Sequence, residues 1–242
     1  MASVRQLRKQ LRGQPLYQRA RRLLRRLTGR ELWLRPELRE PVRRSAGWLL
    51  CHEQVPRGAL VFGLGVGRNI EFELKLIRDH GATVETFDPT PASAAWLQTL
   101  KLPEGFRHHS WAVVATDGAI RLEQRKATRD GAAPMLSVVS SGRIDAETIT
   151  AEGYRLSSVV ARLQSGIPDL LRMDIEGAEY AVLDDMLATG ILPRQLLVEF
   201  HHRFPQIGLG ATRRAIAGLR AAGYRIAAVS DTGREVTFLR DG

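Results

Sequence analysis

Apolar residues at positions 60–62 run without interruption into Gly63-Leu64-Gly65-Val66-Gly67-Arg68-Asn69. From there the spacing becomes helical, with Ile70, Leu74 and Ile77 joined by Phe72 and Leu76 as far as Gly81. This predicts a strand, a tight turn and a helix stopped by glycine. The alternation continues with a strand over 83–87, a helix over 92–100, strands over 106–109 and 111–114, and a turn at Asp117-Gly118 before Ile120 and Leu122. Residues 124–153 are polar and rich in small side chains, a substrate lid or a variable loop. Ser157 is placed to cap a short helix through Gln164, stopped by Gly166, and a strand follows over 169–173. Ala178, Val182, Leu183, Met186 and Leu187 form the buried stripe of the next helix, which Gly190 ends. A strand over 195–200, a helix over 213–222 and strands over 224–230 and 235–239 complete the chain. The turn Asp231-Thr232-Gly233 is too short for a parallel crossover, so the last strand runs antiparallel to its partner. The pattern is α/β: a doubly wound, mostly parallel seven-stranded sheet over residues 55–242, closed by an antiparallel hairpin.

Residues 1–54 read differently. Leu16, Ala20, Leu23, Leu24 and Leu27 recur at helical spacing, and Arg19, Arg21, Arg22, Arg25 and Arg26 cover most of the remaining surface. Such a basic amphipathic helix can lie on an anionic membrane, bind an acidic partner or RNA, or pack its leucines on the body with its arginines solvated. The pattern breaks around Pro36 and Pro41, residues 42–53 read as a second helix, and Pro56-Arg57-Gly58 turns the chain into the first strand.

With 242 residues and 44% hydrophobic content the chain can bury a sizeable core as one large α/β domain. The net charge of +10 is uneven, because residues 1–50 hold fourteen Lys/Arg against three Glu. An anionic partner would therefore meet the arm, while the body is close to neutral. The lone Cys51 excludes an internal disulfide and fits a reducing compartment. No apolar run approaches the roughly 18 residues of a membrane span, and the basic start lacks the apolar core of a signal peptide. A cytoplasmic protein is expected.

Three places carry candidate chemistry. The turn Gly63, Gly65, Gly67 with Asn69 lets backbone approach a ligand at the start of a helix whose amides are free. Asp88 ends the second strand of the sheet, where a carboxylate can accept hydrogen bonds from two ribose hydroxyls; an Asp-Pro turn is the structural alternative. Asp174, Glu176 and Glu179 crowd a strand-to-helix junction, too dense for ordinary core, although Glu176 and Glu179 also suit a helix N-terminus. One strand further on stand Glu199, His201 and His202, with Glu199 and His201 on one face and His202 on the other. If that strand neighbours Asp174, acid and imidazole converge.

The glycine turn with Asn69-Ile70-Glu71-Phe72, then Phe87-Asp88-Pro89-Thr90-Pro91, then Asp174-Ile175-Glu176-Gly177-Ala178-Glu179, and Glu199-Phe200-His201-His202-Arg203-Phe204, resemble FkbM-type methyltransferases over about residues 55–240. The resemblance implies a Rossmann-like class I methyltransferase fold, S-adenosylmethionine as cofactor, and methyl transfer to a hydroxyl of a sugar, glycan or natural product. Gly63, Gly65, Gly67, Asn69, Asp88, Trp111, Ala112 and Asp174 are the cofactor candidates. Many relatives carry an acid where Gly63 stands, so a contact to the methionine end would fall to backbone groups or to Asp174. A dinucleotide fingerprint needs its third glycine at position 68, which is Arg68, and NAD is disfavoured.

Methyl transfer to oxygen needs alignment and a base. His201 is the first candidate and His202 the second, with Glu199 orienting or Asp174 sharing the role. Alternatively Asp174, Glu176, Glu199 and His201 gather a divalent metal that lowers the hydroxyl pKa. Two other functions remain open: a nucleic-acid methyltransferase using the arginine arm, and a non-catalytic protein that binds S-adenosylmethionine. For the arm, a peripheral contact at the inner face of the membrane suits a lipid-linked glycan acceptor.

Overall fold

The computed structural model describes residues 14–125, 135–137 and 148–241. Most of the 124–153 stretch that invited a lid or a loop lies outside the described residues.

The main sheet contains β3 (Leu60–Leu64), β4 (Thr83–Phe87), β5 (Phe106–His109), β10 (Leu170–Met173), β11 (Gln195–Glu199), β12 (Tyr224–Val229) and β13 (Glu235–Arg240). Their spatial order is β12-β13-β11-β10-β3-β4-β5, and β13 alone runs against the direction of the other six. The central strands are largely apolar on both faces because both faces are covered. Phe62, Leu64, Leu171, Met173, Leu196 and Val198 face one core, and Val61, Val84, Leu170 and Leu197 face the other. The helix α2 (Glu71–His80) contributes Phe72 and Leu76 to the second core. On the first core lie α4 (Leu156–Leu163), α5 (Glu179–Thr189) and α6 (Gly208–Ala221), through Val159, Met186 and Leu219. The short α3 (Pro91–Leu97) follows β4.

A second sheet, absent from the sequence reading, is built from β6 (Trp111–Val113), β7 (Gly118–Arg125), β8 (Met135–Ser137) and β9 (Thr148–Tyr154) in the order β6-β9-β7-β8.

The helix expected over 42–53 is a β-hairpin, β1 (Arg43–Ser45) and β2 (Trp48–Leu50), followed by a short 3-10 turn at His52–Gln54. Ala46 (φ 43) and Gly47 (φ 93) both adopt the left-handed region, as a two-residue hairpin turn requires. Val42, Ala46 and Leu50 also fall four apart, so period alone could not separate the two structures. Trp48 and Leu50 point to the same side and are buried there, and the Cys51 amide donates to Gln195 (2.9 Å). Ser157 is no cap: Arg155 holds that position, and the Ser157 amide and hydroxyl donate to Asp185 of α5 (3.0 and 3.2 Å). The helix expected over 213–222 begins earlier, at Gly208.

The amphipathic helix is α1 (Pro15–Leu27). None of its residues is buried, so the packing of its leucines on the body is overturned. The chain after it does pack: Leu32 joins the first core, and Glu31 is buried against His202 (2.8 Å) and Arg203.

Candidate functional site

The carboxyl ends of β3, β4 and β10 border a cavity of about 730 Å³, lined by Gly65, Gly67, Asn69, Asp88, Ala112 and Asp174 among others. Ligands of open α/β sheets bind at this edge. The second sheet supplies wall residues Ala112, Val113, Leu122 and Ile149.

The three glycines have different roles. Gly67 (φ +55) has nothing within 4 Å of the place a Cβ would take, so the space beside it is open at the cavity it lines. Gly65 (φ +75) lets β3 close on β10, since a Cβ there would lie 1.9 Å from the carbonyl oxygen of Asp174. Gly63 is absent from the cavity wall; it lies within β3, and a Cβ would meet Glu73 Oε1 at 3.1 Å. The space a side chain would use there is taken by an acid from α2.

Asp88 both makes a turn and faces the ligand space. Its Oδ1 accepts from the Thr90 amide (2.9 Å) and hydroxyl (2.6 Å), and its Oδ2 from the Gly67 amide (2.7 Å). A carboxylate offers about four acceptor sites. One remains, on Oδ2. Trp111 does not line the cavity; its ring stacks on His109 (4.6 Å) and meets Tyr154 edge-on (5.1 Å).

The parallel pairing of β10 with β11 brings the two charged blocks together. His201, buried, has its Nδ1 2.8 Å from Glu179 Oε1, and its Nε2 faces Glu176 (3.6 Å), Asp174 (3.7 Å) and Glu199 (3.9 Å). Glu179 is wholly buried and also accepts from the Ile175 (3.0 Å) and Gly177 amides, so it ties the imidazole to the start of α5. Glu176 itself sits at φ 52, a left-handed conformation unusual for such a side chain. Burial works against a charged imidazole. The hydrogen bond to Glu179 and the charges of Glu179, Glu176 and Asp174 outweigh it and push the pKa of His201 up to about 9. Burial raises Asp174 above the usual carboxylate range. Burial and the Asp174 charge raise Glu199 to about 7, although Arg234 pairs with it.

His201 is therefore an imidazolium near neutrality, and a protonated ring cannot act as a base. It stands behind the cavity wall, whereas Asp174 and Glu176 stand on it. His202 faces away from this group, toward Glu31 (2.8 Å), and takes no part in it. Of the metal candidates, Asp174 and His201, together with Glu179, present ligand atoms within 4.8 Å of one another.

A buried pair escaped the sequence reading. Arg172 of β10 contacts Glu73 (3.2 Å), donates to the carbonyl oxygen of Gly65 (3.0 and 3.2 Å), and lies over Trp48 (5.1 Å). It lines the cavity and holds the glycine turn through that carbonyl. The visible signal was a charged residue inside the otherwise apolar strand Leu170-Leu171-Arg172-Met173.

The family model described as the Methyltransferase FkbM domain matches residues 63–226, more than half of the chain. Among solved structures the chain is similar to methyltransferase FkbM from Methylobacillus flagellatus KT, with 12% identity and a TM-score of 0.48. That similarity covers 78% of this chain and 49% of the other, so the chain spans about half the length of that protein. It is also similar to human methyltransferase-like protein 13 in complex with SAH (11% identity, TM-score 0.42, 78% of this chain and 73% of that one). A mutant 16S rRNA (adenine(1408)-N(1))-methyltransferase from Catenulisporales acidiphilia is similar at 12% identity and a TM-score of 0.37, over 82% of this chain and 94% of that one. No curated protein matches the sequence.

Proposed function

The chain belongs to the FkbM methyltransferase domain family, and we propose that it transfers a methyl group from S-adenosylmethionine to a hydroxyl of a sugar, glycan or natural product, with Asp174 receiving the hydroxyl proton. The supporting observation is the position of Asp174, which is on the cavity wall and also against the buried His201. A carboxylate pushed above its ordinary range is a better proton acceptor than a free one.

The residues fit the cofactor. The open space beside Gly67, the free acceptor site of Asp88 and the apolar wall from Ala112 to Val114 suit a nucleoside, and the cavity volume lies in the ordinary range of small-molecule sites. The bound sulfonium would supply an already activated methyl group. The protein's remaining work is to orient the acceptor hydroxyl and hold its proton. The His201 imidazolium, anchored by Glu179, keeps Asp174 in place and offsets its charge. Lone and buried, Cys51 supports a cytoplasmic setting.

The first test is calorimetric titration with S-adenosylmethionine and its demethylated product, with NAD as control. Binding of the first two alone is expected, weakened about tenfold or more by Asp88→Ala. At saturating S-adenosylmethionine, Asp174→Asn should lose about 10²–10⁴ in turnover on a hydroxyl acceptor, beyond any change in cofactor affinity. Full turnover in Asp174→Asn would overturn the assignment. Turnover abolished by exhaustive chelation would instead put a divalent cation among Asp174, Glu176, Glu199 and His201.

A further inference from the structure

The helix α1 is docked by its charged face. Arg19 pairs with Asp231 (2.8 Å), Arg22 donates to the carbonyl oxygen of Ser230 (2.8 Å), and Arg26 donates to those of Leu32 (3.1 Å) and Leu34 (2.9 Å). The turn that receives it is shaped for an arginine, because a Cβ on Gly233 would lie 2.5 Å from Arg22 Nε. In consequence the leucine stripe faces solvent: Leu16 is 79% exposed, Leu27 70%, Leu24 62% and Leu23 49%. With Tyr17 and Trp33, these are six of the eight large hydrophobic side chains found exposed among the described residues. Arg21, Arg30 and Arg35, all exposed, stand on or just after the same helix, and α1 contains no acidic residue.

A ridge of leucines with an aromatic residue at its end and arginines at its margin has the composition of a helix that lies in a lipid interface. We propose that α1, with Trp33, seats this protein on an anionic lipid surface, the leucines entering the acyl boundary and the arginines meeting the headgroups. Charge argues against a second copy as the occupant, because stacking two such ridges would bring two rows of arginine together. No helix among the described residues is long and apolar enough to cross a membrane, so the contact lies along the surface. This inference does not depend on the methyl-transfer reading, and cofactor titration separates the two.

The test is co-sedimentation of the full chain with phosphatidylcholine vesicles, with and without phosphatidylglycerol. Binding is expected only where phosphatidylglycerol is present, and it should weaken as salt rises. The double variant Leu23→Glu, Leu24→Glu alters only exposed side chains. It should bind at least about tenfold more weakly, with unchanged thermal stability and unchanged S-adenosylmethionine affinity. Full binding by that variant, or no binding of the parent protein to anionic vesicles, would overturn the proposal. So would a concentration-dependent dimer of the parent chain that the variant abolishes.

Discussion

Two regions of this molecule bury charge, with different results. At the cavity, Arg172, which lines it, and Glu73 are both almost wholly enclosed, and His201 is held among four carboxylates. At α1, Arg22 is half-buried against a turn while the leucines beside it stay in water. In the first region each ion has an opposite charge in contact, and the pairs hold the glycine turn and the strand ends in one geometry. In the second, the arginines anchor a helix whose apolar face is left unused. Charge near the cavity thus builds a site, and charge at α1 orients a surface.

That contrast can be broken by measurement. Arg172→Met leaves Glu73 enclosed without its counter-ion and should cost about 3–5 kcal/mol in denaturant unfolding. Adding Glu73→Leu to it should recover most of the loss. A cost below about 1 kcal/mol for the single change would remove the distinction between the two regions.

The His201 cluster gives a pH dependence. Its pKa is raised from the ordinary 6.5 to about 9 on folding, so its stabilisation is fully present below pH 6.5 and is lost as pH rises through about 9. At 1.36 kcal/mol per pH unit this is worth about 3 kcal/mol. The melting temperature should therefore fall between pH 7 and pH 10, and His201→Asn should flatten that fall. An equally steep profile in the variant would place the proton elsewhere.

The smallest effect is expected at α1. Gly233→Ala combines a strained φ of +83° with displacement of Arg22, and should cost about 1 kcal/mol while loosening the helix. Proteolytic cleavage near residue 28 should become faster, with cofactor affinity unchanged.

Much of the sheet was legible because its strands are short apolar runs punctuated by glycine and proline, and β4 has the bounds the pattern predicted. The antiparallel last strand followed from a three-residue turn alone. The site was legible in part. The Asp174 and His201 blocks stood out through their charge density, and their convergence followed once β10 and β11 paired. Which of them could accept a proton was not legible, because that depends on Glu179, six residues beyond its own strand end, reaching back to the imidazole. That Gly63 and Trp111 stand off the cavity wall was not legible for a similar reason: a residue beside a motif can belong to the packing next to it.

By itself, then, the sequence determined the order of strands and helices of the main sheet, the hairpin that closes it, and the strand ends that carry acids. These depend on local periodicity and turn chemistry. Tertiary structure alone decided the hairpin at 43–50, the protonation of His201, the filling of the Gly63 position by Glu73, and the outward face of α1. Each of these depends on which distant charge or surface a side chain meets, and contacts between residues far apart in the chain leave no period in the sequence.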